Sequence, residues 1–333
     1  MLFQQVFRGL FLALCAVDFS SAIPLDNQRN GGLQTRQAPS KIRDGQDPSV
    51  MILSGRRFSV ESAEEGGIYV REAATMDELG GGERTKVWTD TGMGEVWAPE
   101  IMSEGGRTYI YFAAGKGAAH RMYGMYIFVA FYISSKVTQS VRFMYNTASN
   151  LCIVISSDSP RGQYSNAQKL NLPDDKWAID GIYFRYNGQG WFAWSGWKDD
   201  PDRVQRIYLC RMSSPTQPTG PRYIISEPRE QFELINTADA KADKINEGPQ
   251  AIVDPEGRLH IVYSVNHSWE DQYCLAELRL KAGGDPTKVW DWYKSNGCLF
   301  GSNQATMMKG WDATQWINGP GKSKCVHFCR VVS

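Results

Sequence analysis

After residue 43 apolar and polar positions alternate in short runs, and Gly, Pro, Asn or Asp punctuates nearly every one. Ser49-Val50-Met51-Ile52-Leu53 predicts a strand, Ser54-Gly55-Arg56 a turn, and Phe58-Ser59-Val60 and Ile68-Tyr69-Val70 two further strands. The unit recurs as Trp97-Ala98-Pro99-Glu100-Ile101-Met102, the turn Glu104-Gly105-Gly106, Tyr109-Ile110-Tyr111-Phe112 and His120-Arg121-Met122-Tyr123. A third copy runs through Ala178–Phe184, Asn187-Gly188, Trp191–Trp194 and Ile207–Cys210. The fourth runs through Gly248–Val253, Pro255-Glu256-Gly257, Leu259–Tyr263 and Tyr273–Leu278. Strand, glycine turn, aromatic strand and strand, repeated at roughly 50 to 70 residues, predicts the blades of a β-propeller, with an irregular β-sandwich as the alternative. WD, kelch and sialidase Asp-box signatures are absent.

Composition narrows the class. A chain of 333 residues, 42% hydrophobic, can bury a full core and is not a disordered segment. Thirty-six basic residues against 36 acidic ones remove the electrostatic case for nucleic acid. No apolar run beyond the N-terminus approaches the ~20 residues of a membrane span, so neither nucleic acid nor membrane is an expected partner. Arg8 followed by the apolar run Gly9–Val17 and the small residues Ser20-Ser21-Ala22 predicts a secretory signal peptide over 1–22. Residues 23–42 read as a polar leader arm, and the chain is expected to be secreted.

Secretion makes disulfides relevant. Cys15 leaves with the signal peptide, and a Cys274–Cys298 bridge is compatible with the pattern without being fixed by it. Neither a CxxC pair nor a His/Cys cluster has zinc spacing. Asn266-His267-Ser268 is a formal N-glycosylation sequon.

Candidate chemistry sits at the start of the repeated units. Asp47-Pro48 opens the first, Asp180-Gly181 the third and Glu247-Gly248-Pro249 the fourth. Inner strands of a propeller begin around one channel, so these carboxyls can converge. Two carboxyls across a glycosidic bond suffice for hydrolysis, one donating to the leaving oxygen and one activating water. A third can raise the acid's pKa by like-charge repulsion. Taken singly, each is also an ordinary turn dipeptide.

The surrounding words are more specific. Gln46-Asp47-Pro48-Ser49-Val50, Val96-Trp97-Ala98-Pro99-Glu100-Ile101, Trp177-Ala178-Ile179-Asp180-Gly181 and Ile245-Asn246-Glu247-Gly248-Pro249 occur in that order. With His120-Arg121-Met122-Tyr123 and Trp194-Ser195-Gly196-Trp197, they resemble glycoside hydrolase family 43 from about residue 43 to Gly321. The resemblance implies a five-bladed β-propeller that hydrolyses arabinose- or xylose-containing plant polysaccharides with inversion. It implies Asp47 as general base, Glu247 as general acid and Asp180 as the acid that tunes pKa and position. Together, His120-Arg121-Met122-Tyr123, Trp194-Ser195-Gly196-Trp197 and Gly297-Cys298-Leu299-Phe300-Gly301 look most like secreted exo-acting α-L-arabinofuranosidases. β-Xylosidases and endo-arabinanases share the same acids, and an inactive carbohydrate-binding propeller is a further alternative. Trp97, Arg121, Trp194 and Trp197 are candidates for lining the sugar pocket, with packing as the alternative for each Trp. No cofactor is required. The resemblance implies that some intact members hold a metal ion through a last-blade His, which is absent here, so no metal ligand is expected.

Two stretches depart from the family. Between Tyr123 and Ile155 the family would continue one strand directly, whereas residues 124–153 intervene without an Asp or Glu. Gly124-Met125-Tyr126 can be encoded with a splice donor, Ser149-Asn150 with a branch point and Ile153-Val154 with an acceptor, which predicts a translated intron. A hydrophobic insertion loop is the alternative. After Gly321 the family pattern also stops, leaving 322–333 as an atypical tail and predicting a truncated fifth blade. On this reading the insertion projects from the second blade, the final residues pack poorly and the chain is a poor catalyst.

Overall fold

Two-residue turns with consecutive left-handed residues set the strand pairing. In the computed structural model Ser54-Gly55 (φ 49° and 77°), Gly105-Gly106 (57° and 76°) and Asn187-Gly188 (49° and 75°) share this conformation. It is that of type I′ turns, whose twist matches the strands they join. The structure describes residues 47–63, 66–89, 92–116, 121–129, 156–157, 160–162, 164–165, 167–199, 202–235, 243–268, 270, 272–301, 311–319 and 322–329.

Strands β1 (Ser49–Leu53), β2 (Arg56–Ser62), β3 (Ile68–Ala73) and β4 (Glu83–Trp88) form one antiparallel sheet in chain order. A one-turn helix, α1 (Met76–Leu79), capped by Thr75, joins β3 to β4. The second sheet contains β5 (Glu95–Glu104), β6 (Arg107–Gly115), β7 (Arg121–Val129), β8 (Ser156–Ser157) and β9 (Gln168–Lys169). The third comprises β10 (Ala178–Tyr186), β11 (Gln189–Gly196), β12 (Arg206–Ser214) and β13 (Gln217–Ser226), again in chain order. The fourth is β14 (Asn246–Val253), β15 (Leu259–Val265), β16 (Cys274–Leu280) and β17 (Trp292–Lys294), and β18 (Trp311–Gly319) pairs with β19 (Lys322–Cys329). The fold is all-β with almost no helix, and no described helix is long and apolar enough to cross a membrane.

The cores lie between neighbouring sheets. Met51, Phe58, Val60 and Val70 of the first sheet pack with Ile101, Ile110 and Phe112 of the second. Tyr109 and Tyr111 pack with Tyr183, Phe192 and Tyr208 of the third, and Ile182, Trp191 and Leu209 with Ile261, Tyr263 and Leu278 of the fourth. First strands also touch in sequence: β1 meets β5, β5 meets β10, β10 meets β14, β14 meets β18, and β18 meets β1.

The repeat read from sequence had three strands per unit; the first, third and fourth sheets each add an outer fourth strand. At the second sheet, β7 does not stop at Tyr123 but continues in antiparallel register with β6 to Phe128, opposite Arg107. Ser156–Ser157 then lies parallel to Phe128–Val129, the one parallel pairing among named strands, while β9 pairs with Tyr123–Gly124. Lys322–Cys329, within the stretch read as an atypical tail, is a strand paired with β18. The signal peptide at 1–22, the arm at 23–42, and residues 130–153 of the insertion lie outside the described residues. Cys274 and Cys298 form a disulfide with Cα atoms 5.8 Å apart, and the Cys210 thiol is buried.

The sequon is occupied by structure. Asn266 is 4% exposed with φ 70°. Its Nδ2 donates to the Phe232 carbonyl at 2.9 Å and the Gln272 carbonyl at 3.0 Å, and its Oδ1 accepts from the Ile235 N–H. Both amide hydrogens are committed, leaving no nitrogen for a glycan. Protein secreted from a glycosylating host is expected to show no mass loss at Asn266 on deglycosylation, whereas a glycan found there would contradict the packing. Asn266→Ala should lower the melting temperature, at about 1–3 kcal/mol for each buried group left without a partner.

Candidate active site

The first strands share one irregularity. Pairing with the second strand shifts between Trp97 and Glu100, between Ile179 and Ile182, between Glu247 and Gln250, and between Asp312 and Gln315. Each shift is a β-bulge, which leaves extra residues unpaired and re-aims the side chains beside it. Ala98 (φ 44°), Asp180 (54°) and Gly248 (59°) are the left-handed residues of three of these bulges. Asp47 (φ 46°) takes the same conformation two residues before the first paired residue of β1, Ser49. A non-glycine residue held there costs about 1–2 kcal/mol, and such strain clusters at functional sites. Pro48, Pro99 and Pro249 follow Asp47, Ala98 and Gly248. Proline has no N–H to lose from the ladder, so it suits an unpaired position.

Asp47 and Asp180 are thus equivalent residues of two sheets, and Glu247 stands one position earlier in a third. The structure joins the last two directly: the Gly248 N–H donates to Asp180 Oδ2 at 3.0 Å. This bond runs from the fourth sheet to the third and fixes the Asp180 carboxylate against the residue that follows Glu247. The Tyr273 hydroxyl donates to Glu247 Oε1 at 2.9 Å, and Tyr273 is held beside the Cys274–Cys298 disulfide.

A buried network secures the residue on the other side of Glu247. Asn246 is fully buried; its carbonyl accepts from the Ser195 hydroxyl at 3.0 Å and its Oδ1 from the Ser226 hydroxyl at 2.7 Å. Its Nδ2 donates to Glu233 Oε1 at 3.0 Å. Glu233 is buried as well, receiving Lys294 Nζ at 2.9 and 2.8 Å on its two oxygens and the Tyr263 hydroxyl at 3.2 Å. The carboxylate is therefore paired and hydrogen-bonded, the condition under which a buried charge is tolerated.

The aromatic candidates divide. Trp97 is 37% exposed in β5 at the bulge position that Glu247 occupies in β14. Trp194 is 1% exposed, stacked on Tyr208 with centroids 5.5 Å apart and tilted against Phe192; its place is that of a packing residue. Trp197 is half-buried and stacks on Trp177 at 4.5 Å, while its carbonyl receives Arg222. Arg121 begins β7, and its side chain lies outside the described residues. Among the described residues no group of three or more His, Cys, Asp or Glu is arranged to hold a metal ion, and no step below uses one.

Sequence reading missed Tyr273, Asn246, Glu233 and Lys294 as supports. Asn246 adjoins a candidate acid and could have been suspected; Glu233 and Lys294 are distant in sequence and carry no local signal. Lys294→Met should leave a buried, uncompensated carboxylate and cost about 3–5 kcal/mol. Thermal unfolding of Lys294→Met and of Lys294→Met/Glu233→Gln checks this. The double variant is expected to recover most of the lost stability, and equal losses in both would contradict the pairing.

The sequence profile of glycosyl hydrolases family 43 matches residues 37–332, which takes in every sheet and runs past Gly321. An extracellular exo-α-(1→5)-L-arabinofuranosidase of Streptomyces avermitilis is 26% identical over 257 residues, 76% of this chain and 47% of that protein. An enzyme of the same description from Streptomyces chartreusis is 24% identical, covering 81% of this chain and 74% of the relative. Alpha-L-arabinofuranosidase 43 of Humicola insolens is 26% identical, covering 97% of this chain and 57% of its own length. The chain thus spans about half the length of two of these three curated relatives. Among solved structures, an α-L-arabinofuranosidase from Lactobacillus brevis superimposes with a TM-score of 0.69 at 20% identity, over 86% of this chain and 83% of that one. With the matched profile spanning all the sheets and the bulges that hold its acidic residues, the chain belongs to glycosyl hydrolase family 43 and is a glycoside hydrolase.

Proposed function

We propose that this glycoside hydrolase is a secreted, inverting enzyme that releases terminal α-L-arabinofuranosyl units from arabinan or arabinoxylan, built on a five-bladed propeller. The observation that carries the reading is the bond from the Gly248 N–H to Asp180. It draws together acidic bulges of two sheets, and Asp47 takes the same left-handed conformation just before the first strand of another. Contacts of the five first strands, from β1 round to β18 and back, support the propeller. Relatives named as arabinofuranosidases support the sugar, and two of them are named extracellular. The signal-like N-terminus and the Cys274–Cys298 disulfide agree with an oxidising compartment.

In this reading Asp47 takes a proton from water as its oxygen attacks the anomeric carbon. Glu247 gives a proton to the departing glycosidic oxygen as the C–O bond breaks. Asp180, fixed by Gly248, keeps negative charge beside Glu247, favouring its protonated form between turnovers. Trp97 offers a sugar-facing ring. Tyr273, by its hydrogen bond, holds Glu247 in one rotamer.

We also propose that residues 124–153 are a translated intron. The pairing of the second sheet supports this. Gly124–Val129 fills the β7 positions that Val154 onward would take if joined to Tyr123, and Ser156–Ser157 lies displaced alongside, in parallel. A version lacking 124–153 is expected to melt higher and turn over faster. Equal values would identify the segment as a genuine part of the protein.

Aryl arabinofuranoside and aryl xyloside separate the sugar specificities. Release of arabinose is expected; xylose alone would make the enzyme a β-xylosidase, and neither would favour an inactive binding propeller. Glu247→Ala should spare aryl substrates with good leaving groups while losing about 10²–10⁴-fold on natural linkages. Asp47→Ala should lose a similar factor on both. Equal losses by Glu247→Ala on both substrate types would contradict its role.

A further inference from the structure

Just below the bulges, the first strands of the second, third and fourth sheets share a cavity of about 110 Å³ whose lining includes Glu100, Tyr111, Tyr183, Phe184 and Gln250. Glu100 is the first residue to regain pairing after the β5 bulge, as Gln250 is in β14, and Ser49 is the first paired residue of β1. The Gln250 Nε2 donates to Glu100 Oε1 at 2.8 Å. The Ser49 side chain bonds the same carboxyl, and Ser49 Oγ also accepts the Ile101 N–H at 2.9 Å. One carboxyl group therefore ties together β1, β5 and β14, each immediately beneath the positions that present Asp47, Trp97 and Glu247.

We propose that Glu100 is a positioning residue, which by bridging Ser49 and Gln250 fixes the bulges of Asp47 and Glu247 and acts on catalysis only through them. The inference rests on the roles proposed above for those two acids.

The bridge suits a neutral carboxyl. Burial pushes Glu100 up to about 8, against the lowering effect of its bonds to Ser49 and Gln250. Among the described residues no Lys, Arg or His lines the cavity. The titratable groups facing it from packed elements are Tyr111 on β6 and Tyr183 on β10, both raised chiefly by burial and so neutral. Asp47, Asp180 and Glu247 stand at the heads of β1, β10 and β14, and the Glu104–Arg185 ion pair at the far ends of β5 and β10. Below pH 8 the carboxyl is neutral and is held by Gln250 and Ser49. Ionised, it would place an unpaired charge inside a largely apolar lining.

The folded-state value lies above the ordinary carboxylate value of about 4.3. The stability this shift supplies is therefore full below about pH 4.3 and is lost progressively as pH rises to about 8, remaining flat beyond. Activity follows the folded-state ionisation itself and should fall through about pH 8.

The experiment compares the full-length protein with Glu100→Gln and Glu100→Ala on an activated aryl arabinofuranoside, a substrate that needs little protonation of its leaving group. Wild-type kcat is expected to fall above about pH 8, and Glu100→Gln, which keeps an acceptor and a donor and cannot ionise, to hold its kcat through that range. Glu100→Ala should lose roughly 10- to 100-fold in kcat with little change in KM, the scale of a misplaced reacting group. The wild-type melting temperature should also fall relative to Glu100→Gln from about pH 5 to 8 and run parallel above. Matching alkaline limbs in wild type and Glu100→Gln, or full kcat in Glu100→Ala, would overturn the proposal. Parallel melting curves from pH 5 to 8 would overturn it too, whether or not sugar is released. Absence of arabinose release by every form would overturn the arabinofuranosidase reading alone, and the melting curves would still decide the bridge.

Discussion

Everything in the site depends on a residue held left-handed at the heads of β1, β5, β10 and β14. A regular strand would send successive side chains to alternate faces and pair every residue with its neighbour. The bulges at Ala98, Asp180 and Gly248, and the matching conformation of Asp47, interrupt that alternation at one level of the fold. Aspartate tolerates the conformation better than most residues, proline tolerates the lost ladder bond, and glycine costs nothing sterically. Sequence chemistry and backbone geometry thus agree on where functional groups leave the sheet.

Strain at these positions persists only because the surroundings over-determine it. The fourth sheet shows how. Asn246 is gripped by Ser195, Ser226 and Glu233, Gly248 is tied to Asp180, and Gln250 is tied to Glu100, so Glu247 stands in a stretch with anchors on both sides. Each anchor reaches a different element, and the apolar cores between sheets hold those elements in register. Rigidity at the carboxyls is a property of the whole set of sheets.

Much of this was legible in the chain. Alternation and glycine turns located the first three strands of each unit, and the acidic words marked where first strands begin, although Asp-Pro and Asp-Gly read on their own as turns and the bulges gave no separate signal. The outer strands β4, β13 and β17 escaped notice for a physical reason. An edge strand has one covered flank, carries exposed polar residues and tolerates Pro218, Gly220 and Pro221, so its pattern resembles a loop. Trp194 and Trp97 could not be told apart from sequence, because a tryptophan serves equally in packing and in sugar contact. Only burial separates them. The charge pairs and cross-sheet bonds join residues far apart in the chain and leave no local pattern. At β7, residues 124–128 of the insertion continue the ladder with β6, which is why a break in family pattern at Tyr123 is not a break in the strand.

The proposed general base and general acid head strands of separate sheets, and the proposed inverting mechanism requires room for a water between them. Inverting carboxyl pairs stand roughly 6.5–9.5 Å apart, whereas retaining pairs at about 5–5.5 Å form a covalent intermediate. Proton NMR of the first sugar released from an α-L-arabinofuranoside, recorded before mutarotation, reads the difference directly. β-L-Arabinofuranose appearing first is the expected result, and α-L-arabinofuranose appearing first would contradict the arrangement.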